Sequence, residues 1–201
     1  MILKGKLLNI NGAGSAYSWL KNTAQIKGYQ EMNALSDLVA IGSDGICIYP
    51  YGNGSERMFQ NKTLGFHLQN AQFNRHDIAH LCRATLEGIA FSFVYGLELM
   101  KQHHIAPKTI RAGNDNLFQS EVMGTTMATL TGCEIEIYNT TGAIGAARAC
   151  TIAILGYDSF KDFVSQNDHI TTYTPDPNTQ AYQQAYDTWL EGLHQLLKTQ
   201  K

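Results

Sequence analysis

The chain predicts a layered α/β domain, and three observations lead there. Short strand-like runs alternate with helix-period stretches along the 201 residues. The longest helical stretch carries a single apolar stripe. Three junctions between a strand and the following helix are rich in glycine and small polar residues.

Lys6 to Asn11 (KLLNIN) reads as a short strand running into Gly12-Ala13-Gly14, with Ser15 the expected N-cap of a helix to about Thr23. A second short helix is expected over 30–38. Leu38 to Ile41 and Gly45 to Pro50 (GICIYP) follow, the latter a strand that ends in a Pro-Tyr-Gly-Asn-Gly loop. From that loop to Phe73 periodicity is weak, and an irregular excursion is expected. The clearest helix spans about Arg75 to Gln102: Ile78, Leu81, Leu86, Ile89, Phe93, Leu97 and Met100 recur at three- to five-residue steps. Gly88 and Gly96 inside it cost roughly 1 kcal/mol each in helix propensity, which makes sense if another backbone packs closely there. Thr109 to Gly113 (TIRAG) is a strand, Phe118 to Thr131 a helix, and Glu134 to Asn139 (EIEIYN) alternates as a strand does. Thr141 to Leu155 reads as a small-residue helix, and Asn178 to Lys198 as a final amphipathic one behind Pro175-Asp176-Pro177.

This length suits one hydrophobic core, and the expected organisation is a single domain over 1–201. A formal charge of -2 argues against nucleic acid as a partner, because phosphate backbones call for a basic face. No apolar run is long enough to span a membrane, and Met1 to Gly14 lacks the sections of a signal peptide, so a cytoplasmic location is expected. Cys47, Cys82, Cys133 and Cys150 stand far apart and make no C-x-x-C pair, which favours reduced, buried thiols over a zinc site or disulfides.

The three junctions are Gly12-Ala13-Gly14-Ser15, Gly113-Asn114-Asp115-Asn116 and Thr140-Thr141-Gly142-Ala143. Amides at a helix start attract anions, and glycine lets a phosphate or ring approach the backbone. In open α/β sheets, ligands bind where such turns cluster beyond the carboxyl ends of strands. Any α/β protein needs several such turns merely as connections, and none of these is a P-loop or a dinucleotide fingerprint. His76 and His80 stand one helical turn apart and offer a rival metal reading; the plainer alternative puts His76 near a helix start and has His80 pack or hydrogen-bond at the edge of the core. Asp44 and Asp115 fall in loops beside strands, and no spacing marks a catalytic base.

Several segments together resemble the C-terminal domain of the FGGY carbohydrate kinases, over about Leu7 to Leu155 and in that family's order. NINGAGSAYSWLKN (Asn9 to Asn22) resembles its small-residue turn and following helix, and GSDGICIYPYGNGSERM (Gly42 to Met58) its strand and Pro-Tyr loop. HLCRATLEGIAFSF (His80 to Phe93) resembles the second family signature, IRAGNDNLFQS (Ile110 to Ser120) its glycine-rich adenine loop, and GAIGAARA (Gly142 to Ala149) its closing helix. NRHDIAHLCRATLEGIAFSFVYGLELM is most similar to the xylulose kinase branch. Met58 stands where the family has proline, and the adenine loop departs from Gly-Gly-Gly.

The resemblance implies an actin-like ATPase, ribonuclease-H-like domain, the C-terminal half of a sugar kinase, with ATP or ADP as its nucleotide and Mg2+ in the full-length enzyme. Carried over by position, it implies Gly14, Tyr17 and Ser18 near the nucleotide, Gly113 and Asn114 approaching it through their backbone, and Asn116 and Ser120 as further contacts. It places the phosphate-binding Asp-x-Gly-Thr segment, the general-base aspartate and most of the sugar pocket ahead of this chain. The sugar would thus be met through an N-terminal domain, and this chain alone is expected to be inactive. Alternatives are a non-catalytic nucleotide-sensing module of the same fold and the metal-binding reading. The long apolar helix is compatible with a homodimer.

Overall fold

The computed structural model describes residues 9–150 and 152–199. Of the first expected strand, residues 6–8 lie outside the described residues, and 9–11 approach the first helix without strand structure. That helix, α1 (Ala13–Thr23), starts earlier than expected: Gly12 is its N-cap, and Ser15 lies inside the first turn. Helix α2 (Tyr29–Asp37) follows.

Strand β1 (Cys47–Glu56) runs through the whole expected Pro-Tyr loop and pairs antiparallel with β2 (Lys62–Gln69). The irregular excursion expected before Phe73 is therefore half of a hairpin. Its pattern was hidden because one face of β2 stays in contact with water, at Phe66 and Leu68, so apolar residues do not mark an inner face.

Helix α3 (Ile78–Lys101) forms the centre, as its stripe predicts. It starts in a capping box: the Asp77 carboxylate accepts the Ala79 and His80 amides at 3.0 and 3.3 Å, and the His80 side chain accepts the Asp77 amide at 3.3 Å. Gly88 explains itself, because a Cβ there would overlap the backbone carbonyl of Ile48 in β1. The helix also carries a buried ion pair, Arg83 Nε to Glu87 Oε1 at 2.7 Å, with side chains 8% and 3% exposed. Glu87 accepts the Gly42 amide (3.0 Å) and the Ser43 hydroxyl (2.9 Å), and Arg83 donates to the Val39 carbonyl (3.2 Å). These bonds hold a run of left-handed backbone at Gly42, Ser43, Asp44 and Gly45 (φ 83°, 49°, 52° and 91°) that turns the chain into β1. The signature-like segment on α3 is thus a clamp on the loop in front of β1.

A second sheet, in the order β3-β4-β5, comprises β3 (Thr109–Gly113), β4 (Glu134–Tyr138) and β5 (His169–Tyr173). β3 and β4 are parallel and joined through α4 (Glu121–Thr131), which packs on α3 and both covers and links the sheet. The expected start of that helix at Phe118 falls in a separate 3₁₀ turn, Asn116–Gln119, with Ser120 as the true N-cap. The small-residue helix divides into α5 (Gly142–Ala149) and α6 (Ile152–Leu155). Helix α7 (Tyr157–Asn167) and the antiparallel β5 were not foreseen; α7 is amphipathic but short, and β5 alternates weakly. The final helix α8 (Thr179–Thr199) closes over β1: the Trp189 indole donates to the Ile48 carbonyl (2.9 Å), and the Tyr49 hydroxyl donates to the Trp189 carbonyl (3.1 Å).

Candidate nucleotide site

On α1, Gly14, Tyr17, Ser18 and Lys21 recur at three- and four-residue steps and share one side of the helix. Gly14 is exposed, with nothing within 4 Å of where a Cβ would stand, and Ser18 is half-buried. Gly12 has no side chain to cap the first-turn amides, and the buried Glu56 carboxylate accepts the Asn11 and Gly12 amides just ahead of them.

Tyr17 behaves differently from the expectation. It is 3% exposed, its ring stacks on Tyr29 at 5.7 Å, and burial drives its hydroxyl pKa far up. It stays a neutral phenol that donates to Asn33, and its role is to hold the helix start in place. Ser120 is likewise buried: 1% exposed, it accepts the Met123 amide as the α4 cap. Asn116 opens the 3₁₀ turn, and its side chain lies outside the described residues.

Gly113 ends β3 in a tight place. A Cβ there would stand 2.5 Å from the Thr140 carbonyl oxygen and 3.1 Å from Asp115 Oδ1. The next amide, Asn114 N–H, donates to the Tyr138 carbonyl at 2.8 Å, and the Asn114 side chain is exposed. Beside this turn lies a cavity of about 300 Å³, with Arg111, Gly113, Tyr138 and Thr140 on one side and Tyr157 and Phe160 of α7 on the other. Its sheet side is a polar ladder: Arg111 Nε and the Tyr138 hydroxyl both donate to Glu136 Oε2 at 2.7 Å. The Tyr138 hydrogen bond, followed by Arg111, holds the Glu136 carboxyl below the usual glutamate range.

Gly14 is not a wall of that cavity, yet the two glycine turns are tied together. Tyr17 Oη donates to Asn33 Oδ1 (2.8 Å), Asn33 Nδ2 to the Gln119 carbonyl (3.5 Å), and Gln119 Nε2 to the Asn114 carbonyl (3.2 Å). Sequence reasoning missed Asn33 and Gln119, which are ordinary amides on a helix and a 3₁₀ turn with no spacing signal. Glu56 was missed too. It is fully buried with its pKa raised by burial, and it accepts the Asn11 amide at 3.0 and 3.2 Å at the entry to α1.

The metal reading of His76 and His80 is replaced by local hydrogen bonding. His76 Nδ1 accepts the Gln72 amide (3.0 Å), its Nε2 faces Asp44 Oδ2 (3.2 Å), and His80 serves the α3 cap. Among the described residues, no group of three or more His, Cys, Asp or Glu can hold a metal ion.

A strand-rich hairpin, a mixed sheet and helices with paired glycine turns are the architecture of an actin-like ATPase domain of the sugar-kinase type. Residues 9–154 match the C-terminal domain of the FGGY family of carbohydrate kinases, and the chain belongs to that family. Xylulose kinase of Haemophilus influenzae is 29% identical over 174 residues, covering 83% of this chain and 34% of that protein. L-xylulose/3-keto-L-gulonate kinase of Escherichia coli is 29% identical over 181 residues, covering 85% and 35%. Among solved structures, xylulose kinase from Rhodospirillum rubrum superposes with a TM-score of 0.73 at 25% identity, over 92% of this chain and 39% of that one. Plasmodium falciparum glycerol kinase with ADP gives 0.75 at 18% identity, over 92% and 37%, and speaks for the fold alone. The chain spans about a third of the length of the relatives it matches.

Proposed function

We propose that this chain is the nucleotide-holding part of an ATP-dependent carbohydrate kinase that phosphorylates a pentulose such as xylulose. The observation that carries the reading is the hydrogen-bonded link from Tyr17 through Asn33 and Gln119 to Asn114. It ties the α1 start, which offers first-turn amides beside Gly14, to the Gly113 turn, where the Asn114 amide is already donated to the Tyr138 carbonyl. Holding such donors in advance is what electrostatic recognition of a di- or triphosphate requires. In this reading Gly14 and Ser18 border the nucleotide on the α1 side, and Gly113 and Asn114 approach it through their backbone. Tyr17 and Ser120 position these turns and do not touch the ligand. The lean toward xylulose rests on the two relatives at 29% identity.

The described carboxylates make no magnesium cage, so Mg2+ would come bound to the phosphates of the nucleotide, as is usual for this ion. Its chemistry there is to offset phosphate charge during transfer. The base that deprotonates the sugar hydroxyl is assigned, as the family resemblance implies, to the segment ahead of this chain, together with most of the sugar pocket. The site of action proposed is the cytoplasm.

Thermal unfolding with and without ADP tests the reading. Saturation at about 100 times Kd adds about 2.7 kcal/mol to the folded state and raises the midpoint. Gly14→Leu has open space for its side chain, so the fold should persist while the shift with ADP shrinks. An unchanged shift in that variant, or none in the parent chain, would overturn the proposal.

A further inference from the structure

The side of α1 turned away from Gly14 and Ser18 faces a second cavity. Gly12, Ser15, Ala16 and Trp19 line it from the helix, and Gly52, Asn53 and Phe66 line it from the β1–β2 hairpin. At about 400 Å³ it lies within the range of small-molecule sites, roughly 300–1,000 Å³. Its walls are mainly two rings, the Trp19 indole and the Phe66 phenyl, with centroids 5.2 Å apart and planes tilted by 53°. Both rings keep surface in contact with water, 53% for Trp19 and 38% for Phe66.

The polar part of the cavity is small and held in position. Asn53 Nδ2 donates to the Asn11 carbonyl (3.0 Å) and to Ser15 Oγ (2.8 Å). That arrangement leaves the Asn53 amide oxygen as an acceptor and the Ser15 hydroxyl proton as a donor, neither with a partner among the described residues. Below them, the buried Glu56 carboxylate accepts the Asn11 amide at 3.0 Å, and Asn11 Nδ2 donates to the Ser55 carbonyl at 2.8 Å, so the rim is braced from both sides. Among the described residues, no charged side chain lines the cavity. A phosphate or carboxylate would find no countercharge there, and a purely apolar ligand would leave the donor and acceptor unsatisfied. What fits is a ring with an apolar C–H face to lie on an aromatic surface and hydroxyls that both donate and accept.

We propose that this cavity is a binding site for a neutral polyhydroxylated ring, a monosaccharide or cyclic polyol, separate from the Gly113 turn and independent of the nucleotide reading. Trp19 forms the platform, Phe66 the side wall, and Asn53 and Ser15 read the hydroxyls.

The protein carries its own reporter. It has two tryptophans, and Trp189 is 1% exposed, so a ligand in this cavity perturbs the emission of Trp19 alone. Titration of the chain with D-xylose, D-glucose and myo-inositol should give a saturable emission change for at least one, at a Kd near ~1 mM as suits a single ring. Saturation-transfer NMR on the same ligand should then show Ser15→Ala and Phe66→Ala each weakening it about tenfold, which is the worth of one ordinary contact. Leu38→Ser, at an exposed turn elsewhere, should bind as the parent does. Circular dichroism establishes that each variant is folded, and Ser15→Ala, a surface change inside a helix, keeps the test valid if Phe66→Ala unfolds. The proposal is overturned if emission changes only linearly with every sugar, or if Ser15→Ala binds as tightly as the parent. It is equally overturned if emission follows protein concentration and the mass in sedimentation rises with it, since the face is then a contact between copies of this chain.

Discussion

Tyr17 shows how burial reassigns a residue. In sequence it stands at a helix start among glycines and serines, where a ligand contact is expected. In the structure its ring fills space against Tyr29, and only its hydroxyl does polar work, toward Asn33. Among the cysteines, Cys47, Cys82 and Cys133 are buried as expected, whereas Cys150 is exposed against the expectation. Burial raises the Cys47 thiol and pushes Cys82 up to about 11, so both remain thiols at pH 8. Iodoacetamide at that pH should label Cys150 in the folded chain and reach Cys47 and Cys82 only after denaturant is added. Mass spectrometry reads this directly, and early labelling of Cys82 would contradict the packing described.

At the scale of elements, stability concentrates where α3 meets the loop before β1. Glu87→Ala would strand Arg83 as an unpaired buried charge and free the Gly42 and Ser43 donors; a loss of about 3–5 kcal/mol is expected. Glu87→Gln, which keeps two of the contacts, should lose less, and urea unfolding separates the two. Gly88→Ala sets two effects against each other. Helix propensity improves by about 1 kcal/mol, but the methyl group collides with the Ile48 carbonyl, and such overpacking costs about 1–3 kcal/mol. The methyl is fixed to the helix and the carbonyl it meets is backbone, so neither can turn aside and net destabilisation is the expected result. The sheet has its own pH dependence through Glu136. Its folded pKa is depressed, so the stabilisation is complete above the unfolded value, about 4.3 for glutamate, and is lost as pH falls from there through the folded one. The Glu136→Gln variant should show a flatter decline in urea midpoint over that acid range.

Across the whole molecule, the hairpin, α1 and α2 are bound to the β3–β4 sheet by α3, α4 and the amide chain through Asn33 and Gln119. This arrangement ties together turns that are about a hundred residues apart in sequence, as the proposed nucleotide reading requires. Among the described residues, neither sequence nor geometry identifies a general base beside them. With Mg-ATP and D-xylulose, this chain alone should therefore give no sugar phosphate above the uncatalysed background. A coupled ADP assay checks it, and measurable turnover would return the search for a base to the described acids.

Much of the α/β order, the family and the three glycine turns were legible because they depend on local chemistry. Periodicity sets which residues of α3 face inward, proline and glycine punctuate, and short motifs such as RATLEG keep their spacing in any context. The hairpin was not legible, because β2 shows no clean alternation, nor were α7 and β5, which are short and weakly patterned. Tertiary structure alone decided that Tyr17 and Ser120 are buried, that Asn33 and Gln119 join the two turns, and that the Trp19 and Phe66 rings meet at one cavity. The physical reason is that burial and hydrogen-bond partners belong to pairs of residues. Where the partners are distant in sequence, neither one's neighbours carry any sign of the other.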